Sequence, residues 1–293
     1  MYELIRISEK CYYIESPAKI GLIKLTDSEI CLIDSGSDKD AAKKALKIID
    51  ENGWTLKAVY NTHSHADHIG GNRLIQSRTG CDIFAPGIEC DFTNHPILES
   101  AFLYGGFPPK ELNHKFLLAE ESVAKPLSED VMPEGLEIIP LKGHSFDMVG
   151  FKSSDGVVYL ADALSSSQTL DKYGIGFIYD VGEYLKTLQM IKEMEAQYFI
   201  PSHAEPCKDI GELAQYNIDK VYEIANNIIK ICAEPCSFEQ ILKQIFNEYS
   251  LKMSFEQYAL VGSALKSYLS WLKGEEKLET EIRDNMIFWK SLK

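Results

Sequence analysis

No apolar run in the 293-residue chain approaches transmembrane length, and Met1 to Arg6 is too mixed in polarity to open an export signal. These two absences predict a cytoplasmic protein with no membrane partner. Basic residues are scarce as well: 30 Lys and Arg face 44 Asp and Glu, giving a formal net charge of -14. Phosphate backbones are held by clustered cations, so nucleic acid is not expected as the main partner. A disulfide framework is also missing. The seven cysteines, Cys11, Cys31, Cys81, Cys90, Cys207, Cys232 and Cys236, are odd in number and scattered, as reduced thiols would be. Cys232 and Cys236 stand four apart but have no second Cys or His pair nearby to complete a metal site. The chain contains no internal repeat or low-complexity tract. What it does contain, 45% hydrophobic and 11% aromatic residues, suffices for one large core and a second small one.

Against that background one segment stands out. Directly after the apolar run Leu56 to Tyr60, the stretch Asn61 to Gly71 packs His63, His65, Asp67 and His68 into six positions. In an extended segment, alternation aims His63, His65 and Asp67 to one side, and the turn into a helix starting near Asp67 swings His68 toward a second position. One short loop can therefore serve two metals. Neutral imidazole and carboxylate are ligands that Zn²⁺, Fe²⁺ and Mn²⁺ accept. A closed two-metal site needs further donors, and three later residues stand in similar contexts. His144 follows the apolar segment Leu136 to Leu141, Asp162 ends the run Gly156 to Ala161, and His203 ends Tyr198 to Ser202. Donors delivered from strand ends into loops are what a rigid scaffold with its site at one edge gives.

The pattern His-x-His-x-Asp-His, complete in His63, His65, Asp67 and His68 and followed in order by His144, Asp162 and His203, resembles the dinuclear metallo-β-lactamase-fold hydrolases. The resemblance covers about residues 1 to 206. It implies a four-layer αββα sandwich in which His63, His65 and His144 hold one metal, Asp67, His68 and His203 hold the other, and Asp162 bridges. Two divalent ions are implied, Zn²⁺ first, with Fe²⁺ or Mn²⁺ as alternatives. Asp34, in Cys31-Leu32-Ile33-Asp34-Ser35-Gly36, matches the family's early aspartate that supports the first metal loop; its plain alternative is a cap or turn before a helix from Asp40 to Asn52.

The implied chemistry is hydrolysis by a water shared between the metals, with Asp67 and Asp162 as the catalytic carboxylates and no Ser or Cys nucleophile. Both half-sites are complete, which favours hydrolysis over iron-dependent redox chemistry. The absence of an export signal weakens a β-lactamase role. Glyoxalase II enzymes carry an arginine-containing, glycine-rich loop after the bridging Asp, whereas this chain has Ala163 to Ser167. A small carbonyl substrate is therefore expected, with ester, lactone or thioester ahead of β-lactam. The alternatives are a phosphodiesterase or ribonuclease of the same fold, or a metal-stabilised binding scaffold.

Two expectations concern the rest of the chain. Residues 207 to 293 read as a C-terminal module: a long helix from Asp209 to Cys232, a helix from Ser254 to Lys273, and a hairpin turning near Asp284-Asn285. Helix, helix and hairpin resemble a winged helix. Its acidic balance favours protein contact, by homodimerisation or by bracing the catalytic part, over nucleic acid. The second expectation is a substrate wall built from two long loops, Pro86 to Lys125 and Ala163 to Asp180, both rich in aromatic residues. Tyr104 and Tyr173 are the candidates there for a hydrogen bond to an oxyanion. His95 and His114 read as ordinary surface or packing histidines.

Overall fold

Short runs rich in Ile, Leu, Val and Tyr, each broken by turn residues, build the strands of this protein. Residues 2–292 are described by a computed structural model. The first sheet has seven strands in sequence order: β1 (Leu4–Arg6), β2 (Cys11–Ile14), β3 (Ile20–Lys24), β4 (Glu29–Ile33), β5 (Thr55–Tyr60), β6 (Asp82–Ala85) and β7 (Ala124–Pro126). Its first four strands are antiparallel; from β4 onward the pairs run parallel, with helices in the crossovers. The second sheet holds β8 (Leu136–Pro140), β9 (Val149–Ser153), β10 (Val157–Ser165) and β11 (Tyr198–His203) in the order β11-β10-β9-β8.

The helices divide between the two outer faces. On the side of the first sheet lie α1 (Lys39–Glu51), α2 (Ala66–Ile69), α3 (Asn72–Thr79) and α4 (Glu89–Asn94), while α5 (Ile97–Tyr104) packs against α4 and the C-terminal helix. After β10 come α6 (Ser167–Tyr173), α7 (Val181–Glu193) and α8 (Gly211–Ile231), then α9 (Phe238–Glu248) and α10 (Phe255–Gly274). The last sheet pairs β12 (Cys236–Ser237) with β14 (Met286–Ser291), and β14 with β13 (Leu278–Arg283).

Burial follows the layers. Tyr13, Ile23, Cys31 and Tyr60 of the first sheet interleave with Phe151, Val157, Tyr159 and Ile200 of the second to form the central core. Ala42, Ala45 and Ile49 of α1 and Ile75 of α3 close the outer face of the first sheet. Val158 and Leu160 close the other outer face against Leu188 of α7 and Val221 of α8. The result is the expected αββα sandwich. That last cluster continues without a break into Ile241 and Ile245 of α9 and Leu265, Tyr268 and Leu269 of α10. The C-terminal elements thus share buried surface with the second sheet.

Three local expectations change. The loops 86–125 and 163–180 are not irregular: the first contains α4, α5 and a 3-10 turn at Lys110–Leu112, and the second contains α6. Asp162 does not end its strand, because β10 continues to Ser165 through register shifts beside β11. The helix after β4 is capped by Asp38, whose carboxylate accepts from the amides of Asp40 and Ala41, so that role does not fall to Asp34.

Candidate metal centre

All seven candidate donors meet at one edge of the sandwich. The loop leaving β5 carries His63 and His65, and the single turn of α2 presents Asp67 and His68. This turn packs closely against the segment after β4. Ser35 and Gly71 amides and the Ser35 hydroxyl bond across the gap, and a Cβ on Gly70 would strike the Ser37 carbonyl. His144 follows Gly143, whose φ of +116° and contact with the Tyr184 backbone exclude a side chain. Asp162 follows Ala161, which is held at φ +49°. A non-glycine residue in that region costs about 1–3 kcal/mol, a strain that the surrounding sheet enforces and that redirects the carboxylate out of the strand register. His203 is the last residue of β11.

The donors form two groups, His63, His65 and His144 in one and Asp67, His68, Asp162 and His203 in the other, with the potential ligand atoms of each within 4.8 Å of one another. His65 Nδ1 lies 3.1 Å from His63 Nε2 and 3.0 Å from His144 Nε2. Asp162 stands between the groups: its Oδ1 is 3.0 Å from His68 Nε2, and its Oδ2 is 3.3 Å from His203 Nε2 and 3.6 Å from His144 Nε2. Asp67 Oδ2 is 3.1 Å from His203 Nε2 and 3.8 Å from His68 Nε2.

The outward ring nitrogens decide which atom each ring offers to the site. Thr62 Oγ1 donates to Asp34 Oδ2 at 2.8 Å, so it can only accept from His63 Nδ1, at 2.9 Å. His68 Nδ1 donates to the same Asp34 Oδ2 at 2.8 Å. His144 Nδ1 donates to the Phe177 carbonyl at 3.1 Å, and His203 Nδ1 to the Pro17 carbonyl at 3.0 Å. Each of these four rings therefore turns Nε2 inward, the arrangement that supporting carbonyls and carboxylates impose on metal-binding histidines. Buried His68 Nε2 and Asp162 Oδ1 approach closely but find no hydrogen-bond alignment, so both stay unsatisfied. Nitrogen and oxygen donors that converge in this way fit two divalent cations.

Electrostatics separates the groups. Burial, reinforced by neighbouring imidazoles, drives His63 well below the usual histidine value and His65 and His144 down to about 4. The first group is neutral near pH 7. In the second, burial also disfavours charge, but Asp162 and Asp67 outweigh it, raising His203 to about 10 and His68 well above its ordinary value. Both carboxylates are correspondingly held below the usual range by the facing imidazolium groups, against the opposing effect of their own burial. The two imidazoles of this group hold protons that a cation would displace.

Residues 14–203 match the Metallo-beta-lactamase superfamily. The chain belongs to that superfamily. It is accordingly an enzyme of the metal-dependent hydrolase class. The probable metallo-hydrolase YqjP of Bacillus subtilis is 22% identical over 90% of this chain and 91% of its own length. Local matches to hydroxyacylglutathione hydrolases are stronger but short: 42% identity for the Maricaulis maris enzyme, over 18% of this chain and 22% of that enzyme. The chain thus spans about a fifth of the length of those relatives. Among solved structures, a beta-lactamase domain protein from Burkholderia ambifaria superposes with a TM-score of 0.73 at 18% identity, covering 99% of this chain and 94% of the other. A metallo-beta-lactamase family protein from Thermus thermophilus gives 0.72 at 16% identity, covering 99% and 97%. These two share the fold through the C-terminal elements as well.

Within this superfamily scaffold, several site residues escaped the sequence reading. Glu89, at the start of α4 and fully buried, accepts from the Ser64 amide and hydroxyl, the Ser145 hydroxyl and the Asp147 amide. It ties the His63–His65 loop to the His144 loop. Glu99 on α5 lies 3.7 Å from His65 Nε2 and is raised to about 8 by burial and by the charges of Glu89 and Asp67. Phe177 and Pro17 contribute through backbone carbonyls that leave no sequence signature. Neither expected tyrosine reaches the donors. Tyr104 stacks toward Phe255, 5.9 Å between centroids, and the Tyr173 hydroxyl accepts from Lys172 at 3.1 Å, so neither lines the cavity above the two groups. His114 faces Glu256 at 3.7 Å, and His95 ends α4; both stay outside the cluster, as expected.

Proposed function

We propose that this enzyme is a dinuclear hydrolase of small carbonyl substrates, with ester, lactone or thioester bonds ahead of β-lactams. One observation carries the dinuclear reading: Asp162 lies between two donor groups, each complete and each oriented by its own outward hydrogen bonds. His63 Nε2, His65 Nδ1 and His144 Nε2 would hold one ion, and Asp67, His68 and His203 the other, with Asp162 shared. Mixed imidazole and carboxylate sets of this kind suit Zn²⁺ first, with Fe²⁺ or Mn²⁺ as alternatives. Bound there, two divalent cations supply Lewis acidity toward the substrate oxygen and a water acidic enough to attack near neutral pH.

The chain's own residues account for the rest. Asp67, whose side chain is 39% exposed and lines the cavity, can orient that water while it ligates. Phe116, Leu117, Phe177 and Leu260 give the cavity an apolar lining against which the substrate can rest. Glu99 and Glu256 complete this lining. Glutathione carries two carboxylates, and the residues lining this cavity offer them Glu256 and no Lys or Arg, which argues against a glutathione thioesterase.

The C-terminal residues 207–293 are best read as a winged-helix-like module appended to a catalytic part of residues 1–206. The order α8, β12, α9, α10 and the β13–β14 hairpin supports it. Its helix α10 is committed to the enzyme: Ala259 is buried with Leu103, Leu112 and Leu117. Bracing the active site therefore ranks ahead of nucleic-acid binding. Seven unpaired thiols suit a reducing cytoplasm.

The test is turnover of the zinc-loaded protein on matched lactone, ester, thioester, β-lactam, phosphodiester and RNA substrates, with Asp162→Asn as control. Carbonyl cleavage should dominate and fall in the variant by more than about 100-fold, since losing mere supporting partners of a metal ligand already costs 10–100-fold. Cleavage confined to phosphodiesters or RNA would overturn the proposal.

A further inference from the structure

The cavity above the metal donors, about 320 Å³, is lined on the protein side by His65, Asp67, His144 and Asp162. Beyond it lies a second cavity of about 280 Å³, walled by Leu170 and Tyr173 of α6, by Ile175, and by Val261 of α10. The two cavities have two residues in common, Phe177 and Leu260. Phe177 is pinned to the metal centre: its carbonyl accepts from His144, and its ring lies 5.5 Å from that of His65 and 6.0 Å from that of His144. Leu260 comes from the other direction, on α10, next to Ala259 in the buried cluster with Leu103, Leu112 and Leu117. Both partition side chains are only half-buried, so they separate the cavities without filling a core.

We propose that the two cavities form one bipartite substrate cleft, with the scissile carbonyl in the first and an unbranched apolar acyl tail running past Phe177 and Leu260 into the second. The proposal rests on the hydrolase reading above and specifies its substrate class. In the reaction, the oxygen of water bonds to the acyl carbon, the bond from that carbon to the ester oxygen or thioester sulfur breaks, and a proton passes to the leaving atom. Two features support an uncharged tail. The second cavity draws an apolar lining from buried Leu170, Ile175 and Val261 together with Phe177 and Leu260, beside the polar Ser165, Thr169 and Gln257. An anionic tail would also pass Glu256 at the wall of the first. Together the cavities fall within the few hundred to a thousand Å³ typical of small-molecule sites. Leu260, supplied by the C-terminal helix, is then the residue that sets tail length.

The experiment compares kcat/KM for acetyl, butanoyl, hexanoyl and octanoyl thioesters of one neutral thiol, using the zinc-loaded full chain as wild type, Leu260→Trp and Leu260→Ala. Each methylene that enters the second cavity should raise kcat/KM by roughly three- to fourfold. The octanoyl-to-acetyl ratio should collapse in Leu260→Trp, which plugs the passage, and persist or grow in Leu260→Ala, which widens it. Saturation-transfer NMR with octanamide, on the same three proteins, reads tail binding without turnover; binding should be present in wild type and Leu260→Ala and lost in Leu260→Trp. Hydrolysis with a flat length profile, or a profile untouched by Leu260→Trp, overturns the cleft and leaves the hydrolase standing. Should no acyl substrate turn over, the hydrolase reading fails, and octanamide binding alone decides the cleft: loss in Leu260→Trp upholds it, and no binding to wild type rejects it.

Discussion

Metal loading of this enzyme should be strongly dependent on pH in one donor group and almost independent of it in the other. Burial pushes His65 and His144 down to about 4 and holds His63 well below its ordinary value, so near neutral pH the first group has no proton to lose when a cation arrives. His203 is raised to about 10 and His68 is also raised well above its ordinary value, both by Asp162 and Asp67 acting against burial. At neutral pH the His203 ring therefore carries a proton, which a cation must displace before it can use Nε2. One displaced proton makes log K rise by one per pH unit, about 1.4 kcal/mol per unit. Between about pH 6 and pH 8 the affinity of the second group should therefore climb about 100-fold from His203 alone, with a steeper slope if the His68 proton leaves too. Calorimetric titration of the metal-free protein with Zn²⁺, in two buffers of different ionisation heat, measures affinity and proton release for each event. One event should release almost no protons and the other at least one. Equal release in both, or a second event with no pH slope, would refute this assignment of protons to the two groups.

The same groups predict an optimum in the stability of the metal-free protein near pH 6.5. For His65 and His144 the folded value lies below the unfolded one, so as pH falls from 6.5 to about 4 the unfolded chain takes up protons that the folded chain refuses; each can cost up to about 3 kcal/mol over that window. For His203 the order is reversed: its contribution is fully present below 6.5 and is lost as pH rises toward about 10. Urea unfolding of chelator-treated protein across pH 4 to 10 checks both limbs, and a monotonic profile would count against them. At Glu89, the substitution Glu89→Ala strands four buried or half-buried donors on two metal-bearing loops. It should cost about 3–5 kcal/mol in urea unfolding, with Glu89→Gln milder; a loss under about 1 kcal/mol would show that the loops are held by something else.

What could be read in the sequence was the part whose geometry is local. His63, His65, Asp67 and His68 lie within six positions, so strand alternation and one helical turn suffice to aim them at two points. His144, Asp162 and His203 were recognisable because each follows an apolar run, although Asp162 reaches the site through the left-handed Ala161 and not through a strand end. The helices of the 86–125 insertion were hidden for a local reason. Neither α4 nor α5 has a side-chain cap at its N-terminus, so no capping signature marks where they start. By contrast α6 does carry one, Ser166 accepting from the Thr169 amide, and that signal was available. The hairpin turn at Asp284-Asn285 was legible because two adjacent residues with φ of +47° and +60° call for Asp and Asn. Glu89 and the carbonyls of Pro17 and Phe177 were not legible, since nothing in their own neighbourhoods reveals what tertiary packing brings to them.

The division between what was legible and what was not follows a division of labour in the molecule. The donors come from segments ending at His203, on the edge shared by two sheets whose registers are fixed by the central core. A one-residue slip there would turn every side chain to the wrong face, so the donor geometry is held as tightly as the sandwich itself. The facing wall has no such constraint. It is assembled from α5, the segment around Phe116, the loop at Phe177 and one face of α10, elements that share the small cluster of Leu103, Leu112, Leu117 and Ala259. Replacing Leu260 or Phe116 changes the shape presented to a substrate without disturbing a strand register or a metal donor. On the proposed reading, hydrolytic chemistry and substrate choice should therefore vary independently in this scaffold, with substitutions on α10 and in the insertion changing selectivity more than they change metal binding.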